Sequence, residues 1–211
     1  MQNLKPTYFF DFESDEIQYL ISEFNVDILT ATEKTIGLYL KVRDGWRYDP
    51  YTLSIQKESF VASGIVKKST GHCIDKSILL IAGLRGLGIP ARIHLAKVKN
   101  HIGVERLIEK FGTNELTPHG MVNVFLNNKW LKLSPAFNKS LCDIYDVPAL
   151  DFDGKSDSFL QAYTSDGSLF MEYLEDYGHY EELPFDFMVQ NMKSHYPSIF
   201  EKYKDQNMFY L

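Results

Sequence analysis

Cys73 follows Gly71 and His72 and opens the run CIDKSILLIAGLRG, whose apolar residues fall on nearly every side of a helical projection. A cysteine there stands in the first turn of a buried helix, where unpaired backbone N–H groups favour a thiolate and lower its pKa. The same amides can receive the charge that develops when sulfur attacks a carbonyl carbon. Gly71 allows a tight turn and leaves room beside the sulfur. His119, between Pro118 and Gly120, reads as standing at the mouth of a strand. An imidazole there can take the thiol proton and pass it to a leaving amine, because its ordinary pKa lies near neutrality. The two residues are far apart in sequence, as a nucleophile from a helix and a base from a sheet should be. The chemistry implied is thiol-dependent acyl transfer.

Positioning such a pair takes a helix and a sheet. Cys73 to Leu87 reads as one central helix, stopped by Gly86, Gly88 and Pro90. ARIHLAKV alternates as a strand. HGMVNVFLNNKWLKLSPAF predicts a hairpin turning at Asn127-Asn128, with Leu126 opposite Lys129, Phe125 opposite Trp130 and Met121 opposite Ser134. That register puts His119 and Ser134 on one face.

Upstream, LKPTYFFDFE suggests a short strand. Ser14 is placed to cap a helix from Asp15 to about Phe24, and Thr30 with Glu33 has capping-box spacing ahead of a helix ending near Asp44-Gly45. YTLSI is strand-like, and QKESFVAS predicts a short helix. Downstream, HIGVERLIEKFG reads as a helix or irregular insertion, DFDGKSDSF as turns, and SLFMEYLEDYG as a short strand or helix. A last helix runs from Pro184 toward His195. The class expected is α+β, a buried helix packed on a mostly antiparallel sheet. One domain is expected over residues 1–211, with N-terminal helices and a C-terminal extension around a core at about 42–138.

The bulk numbers narrow the setting. Apolar residues make up 45% and charged residues 24% of 211 residues, and 15 Phe and 13 Tyr argue against disorder. A net charge of -6 gives no general attraction to nucleic acid or an anionic membrane. No apolar run approaches the roughly 18 residues of a membrane span, and the first residues lack the pattern of a secretory signal. Two cysteines, Cys73 and Cys142, make no disulfide framework, so a reducing cytoplasmic setting is expected. His94, His101, His179 and His195 show no ligand spacing, and neither metal nor cofactor is implied.

Gly71-His72-Cys73-Ile74-Asp75, then Leu84-Arg85, then Gly88-Ile89-Pro90-Ala91-Arg92, resembles the core of the transglutaminase-like superfamily, the branch related to papain-type cysteine enzymes. His119, Trp130, Leu133, Ser134 and Pro135 continue the match, and VRDGWRYDP resembles the family's segment before the cysteine. The likeness runs from about Val42 to Pro135, and the tail is similar to those of bacterial members. It implies a papain-like/transglutaminase-like fold. The implied substrate is a protein, peptide or small amide, attacked by Cys73 with His119 as base to give a thioester; hydrolysis is favoured over transamidation. Two alternatives are a catalytically weak or inactive peptide-binding module and an acyltransferase acting on small amines.

This chain departs from the family in carrying Ser134 where aspartate is usual. A serine can orient the imidazole but cannot offset its charge. Asn138 is the second candidate for that place. The side-chain oxyanion donor stays open among Trp46, Tyr48, Gln56 and His72. Asp75 is read as a first-turn carboxylate able to pair with Arg85 or Arg92.

Overall fold

The computed structural model describes residues 2–211. The helices α1 (Asp15–Ile21) and α2 (Ala31–Gly45) are followed by the short strands β1 (Arg47–Tyr48) and β2 (Thr52–Ser54), helix α3 (Ala62–Ile65) and strand β3 (Thr70–Gly71). Helix α4 (Cys73–Gly86) leads into β4 (Ala91–Asn100), α5 (Glu105–Phe111), β5 (Glu115–Leu126), β6 (Lys129–Leu133) and α6 (Lys139–Ile144). The chain closes with β7 (Met171–Tyr180), α7 (Phe185–His195), α8 (Pro197–Lys202) and β8 (Met208–Tyr210).

Strands order as β6-β5-β4-β7, every pair antiparallel, and α4 lies against β4 and β5. From α4, Ile78, Leu79, Leu80 and Ile81 are fully buried, as are Ile93, Leu95, Val122 and Val124 from the sheet. Helices α1, α2 and α3 pack against α4, so α4 is enclosed and its pattern is apolar all round. The fold is α+β, in the papain-like/transglutaminase-like arrangement.

Local chemistry explains the ends of these elements. Thr30 and Glu33 form the reciprocal capping box at the start of α2. Helix α4 ends in a Schellman motif: Gly88 has φ +75°, its N–H reaches Arg85 O, and Ile89 N–H reaches Leu84 O. The hairpin turns on Asn127 (φ 49°) and Asn128 (φ 63°), with Leu126 facing Lys129 and Phe125 facing Trp130.

Several expectations need correction. LKPTYFFDFE forms no strand; a 3-10 turn and bends carry Phe9 and Phe10 into the core instead. Ser14 occupies the cap position of α1 without a side-chain cap bond. QKESFVAS divides into a 3-10 turn at Lys57–Phe60 and the start of α3. His119 lies inside β5, not at its mouth, because pairing with β4 continues upstream to Glu115. Arg85 donates to the carbonyls of Ala91, Lys5 and Glu181, while Arg92 stacks on Trp130, so neither pairs with Asp75. Of the two readings of SLFMEYLEDYG, the strand is the one that forms, as β7.

Candidate active site

The chain before α4 sets the position of the thiol. His72 caps the helix: its Nδ1 accepts from the N–H groups of Ile74 (3.2 Å) and Asp75 (3.3 Å). The accepting nitrogen carries no proton, so the proton is on Nε2, 3.6 Å from Asp75. The Asp75 carboxylate returns the bond at the His72 N–H. Lys76, one turn into the helix, is fully buried and donates to Arg43 O (2.7 Å), Trp46 O (2.9 Å) and Ala136 O (2.7 Å). It ties together α4, the end of α2 and the segment after β6.

Cys73 is 7% exposed and its sulfur accepts the Gly120 N–H at 3.4 Å. This amide is available because β6 ends opposite Val122, leaving β5 without a neighbour on that side at Gly120. A side chain at residue 120 would strike Ile74 within 2.8 Å, so glycine permits the close approach. The thiol thus meets β5 at the residue following His119.

The imidazole itself makes no bond to the thiol. His119 is 2% exposed and its Nδ1 is buried with no hydrogen-bond partner. Strand alternation sends its side chain off β5 opposite to the direction of a Gly120 side chain. Ser134 is buried; its carbonyl accepts from the Tyr39 hydroxyl and its N–H donates to Ser158 O. Among the described residues, no hydrogen bond joins Ser134 to His119. Asn138 is committed elsewhere, its Oδ1 accepting from Tyr48 N–H (3.0 Å) and its Nδ2 donating to Ser140 (2.6 Å) at the start of α6.

Burial governs the electrostatics. It pushes the Cys73 thiol up to about 11, outweighing the pull of the Gly120 and Ile74 amides, with Asp75 adding to the rise. The helix terminus was expected to lower this pKa; withdrawal from water reverses the sign. Burial also takes His119 down to about 4. Both groups are neutral at pH 7 in this closed form.

The thiol borders a cavity of ≈ 50 Å³. Tyr48 and His72 of the four oxyanion candidates line it; Trp46 and Gln56 do not. His72 uses Nδ1 for the helix cap but keeps its Nε2–H, so Tyr48 and His72 both stay open as donors. Helix α7 supplies Met188 and Met192, and Tyr196 follows at the same spacing. The sequence reading missed these three, although apolar residues at 188, 192 and 196 mark one helical face. It also missed Lys76, a fully buried charged residue on α4. A second cavity of ≈ 130 Å³ shares Tyr48, Pro50 and Leu116 with the first.

No group of three or more His, Cys, Asp or Glu is placed to hold a metal ion among the described residues. Nor is any described helix long and apolar enough to cross a membrane.

Comparison with known proteins gives three results. The pattern describing the transglutaminase-like superfamily matches residues 20–135, more than half of the chain and further upstream than the motifs alone indicated. No curated protein matches. Among solved structures, a candidate cysteine protease from Cytophaga hutchinsonii is similar over 63% of this chain, at 16% identity and a TM-score of 0.47. The match spans 40% of that protein's length.

Proposed function

This chain belongs to the transglutaminase-like superfamily, and from that premise we propose that it performs cysteine-dependent acyl transfer on an amide or peptide, with hydrolysis as the usual outcome. The observation carrying this reading is the Cys73 sulfur at the head of α4, held by the Gly120 amide beside a cavity and next in line to His119. In the reaction the thiol proton passes to the imidazole as sulfur bonds to the carbonyl carbon. The Cys73 N–H, which the His72 cap does not engage, receives the oxyanion. The tetrahedral species then collapses, the C–N bond breaks, and the imidazolium proton leaves with the amine. Water attacks the thioester and restores the thiol. The Nδ1 of His119 has no hydrogen-bond partner, and it is proposed to take the thiol proton once substrate binding brings the ring and the sulfur together. Ser134 is proposed to orient the ring in that state; Asn138 is the weaker candidate, since its amide is occupied.

The test is acylation by an activated ester, followed by mass spectrometry of the peptide containing residue 73. The acyl group is expected on Cys73, absent in Cys73→Ala and formed at least about 100-fold more slowly in His119→Ala. Equal acylation of wild type and Cys73→Ala would refute the assignment.

A second reading, a binding module without turnover, draws support from the neutral thiol, the neutral imidazole and a third-position serine that does not touch the ring. Peptide retained equally by wild type and Cys73→Ala, with no thioester in either, would favour it.

A further inference from the structure

We propose that the cavity beside Cys73 is an acyl-donor pocket that takes a flexible apolar side chain of leucine or methionine size and rejects glutamine and charged residues. The proposal rests on Cys73 as nucleophile and adds the class of substrate. Tyr48, Phe60, Ile74, Phe111, Met188 and Met192 give the cavity its apolar wall. Thioether side chains adapt to irregular aliphatic shapes, which suits two methionines one helical turn apart.

Most polar groups on the wall are already engaged. Ser54 Oγ bonds Ser59 and Asn207 O. The Thr117 hydroxyl meets Asn191 (2.8 Å) and Tyr177 (3.0 Å), and its N–H donates to the Tyr196 hydroxyl (2.7 Å). That hydroxyl in turn donates to Glu115 O (3.1 Å). His72 Nδ1 holds two helix amides. Among the described residues, the lining hydroxyl left without a hydrogen bond is Tyr48's. A glutamine carboxamide needs several partners at once, and the Tyr48 hydroxyl with the His72 Nε2–H cannot satisfy all of them. A charged side chain fares worse in so dry a space. The ≈ 50 Å³ volume is several times the ~10–15 Å³ that one water needs, yet too confined for a bulky solvated group.

Residues Met188, Met192 and Tyr196 lie beyond the segment 20–135 that matches the family. The C-terminal segment therefore completes an apolar wall begun by Tyr48, Phe60, Ile74 and Phe111 of the shared core.

A matched series of short peptidyl vinyl sulfones tests this, with Leu, Met, Phe, Gln, Lys or Asp as the residue beside the electrophile. Labelling of Cys73 is followed by intact and peptide mass. Leu and Met should react at least about 10-fold faster than Gln, Lys and Asp. Met188→Ala with Met192→Ala should shift the preference toward Phe by about 10-fold. Gln reacting as fast as Met would overturn the pocket while leaving Cys73 a nucleophile. Failure of every probe to label Cys73, with an activated ester also inert, would overturn the nucleophile and the pocket together. Labelling by esters but by none of the six probes would overturn the pocket alone.

Discussion

The Gly120 N–H points at the Cys73 sulfur from 3.4 Å, across an edge that β6 leaves open. Strand and helix can approach this closely because residue 120 has no side chain. Gly120→Ala would bring a methyl within 2.8–3.1 Å of Ile74, two of whose contacting atoms are backbone. We expect a loss of about 1–3 kcal/mol in denaturant unfolding and at least a 10-fold fall in Cys73 acylation, roughly the effect of a misplaced nucleophile. A variant with wild-type stability and rate would show that the approach is unimportant.

Alkylation of Cys73 by iodoacetamide should follow an ionisation near the thiol's raised position of about 11, well above the ordinary cysteine range. The thiol is neutral below that pH, so labelling at pH 7 should be slow, and denaturant should accelerate it. A labelling midpoint at or below 8.5 in the folded protein would mean that the closed, dry form is not the one populated in solution.

His119 bears on acid stability. Its folded pKa of about 4 lies below the ordinary value of 6.5, so the unfolded chain binds the extra proton first as pH falls. Its contribution is complete above 6.5 and is lost progressively down to about 4. The shift corresponds to about 3 kcal/mol. Denaturant midpoints between pH 7 and 4 should fall less steeply in His119→Gln than in wild type. An imidazole that titrates near 6.5 in the NMR spectrum of the folded protein would contradict this.

Lys76→Met should be costly despite its similar volume. Three buried carbonyls, from Arg43, Trp46 and Ala136, would lose their common donor. The expected loss is about 3 kcal/mol or more in chemical unfolding. A neutral result would show that water or a local shift replaces the ammonium.

The parts of this molecule that could be read from the residues are those set by local chemistry. The Thr30–Glu33 box, the glycine stop after α4 and the Asn127-Asn128 turn each involve a few neighbouring residues, and each occurs as expected. What could not be read depends on distant partners. Pro118 makes His119 read as a strand entrance, but pairing between β4 and β5 carries the strand past that proline. The sign of the Cys73 shift was missed for a similar reason. The helix terminus is visible in the chain, whereas the dryness comes from residues spread from Tyr48 to Tyr196. At Asn138, the bond from Tyr48 exists only once the segment after β6 meets β1.

The pairing of β2 with β8 has a kinetic corollary. Ser54 and Asn207, bonded to each other, are separated by 153 positions. At ribosomal rates the earlier strand emerges on the order of ten seconds before its mate. During that interval Met188, Met192 and Tyr196 are also still to be made, so the wall beside the cysteine is completed only at the end of synthesis.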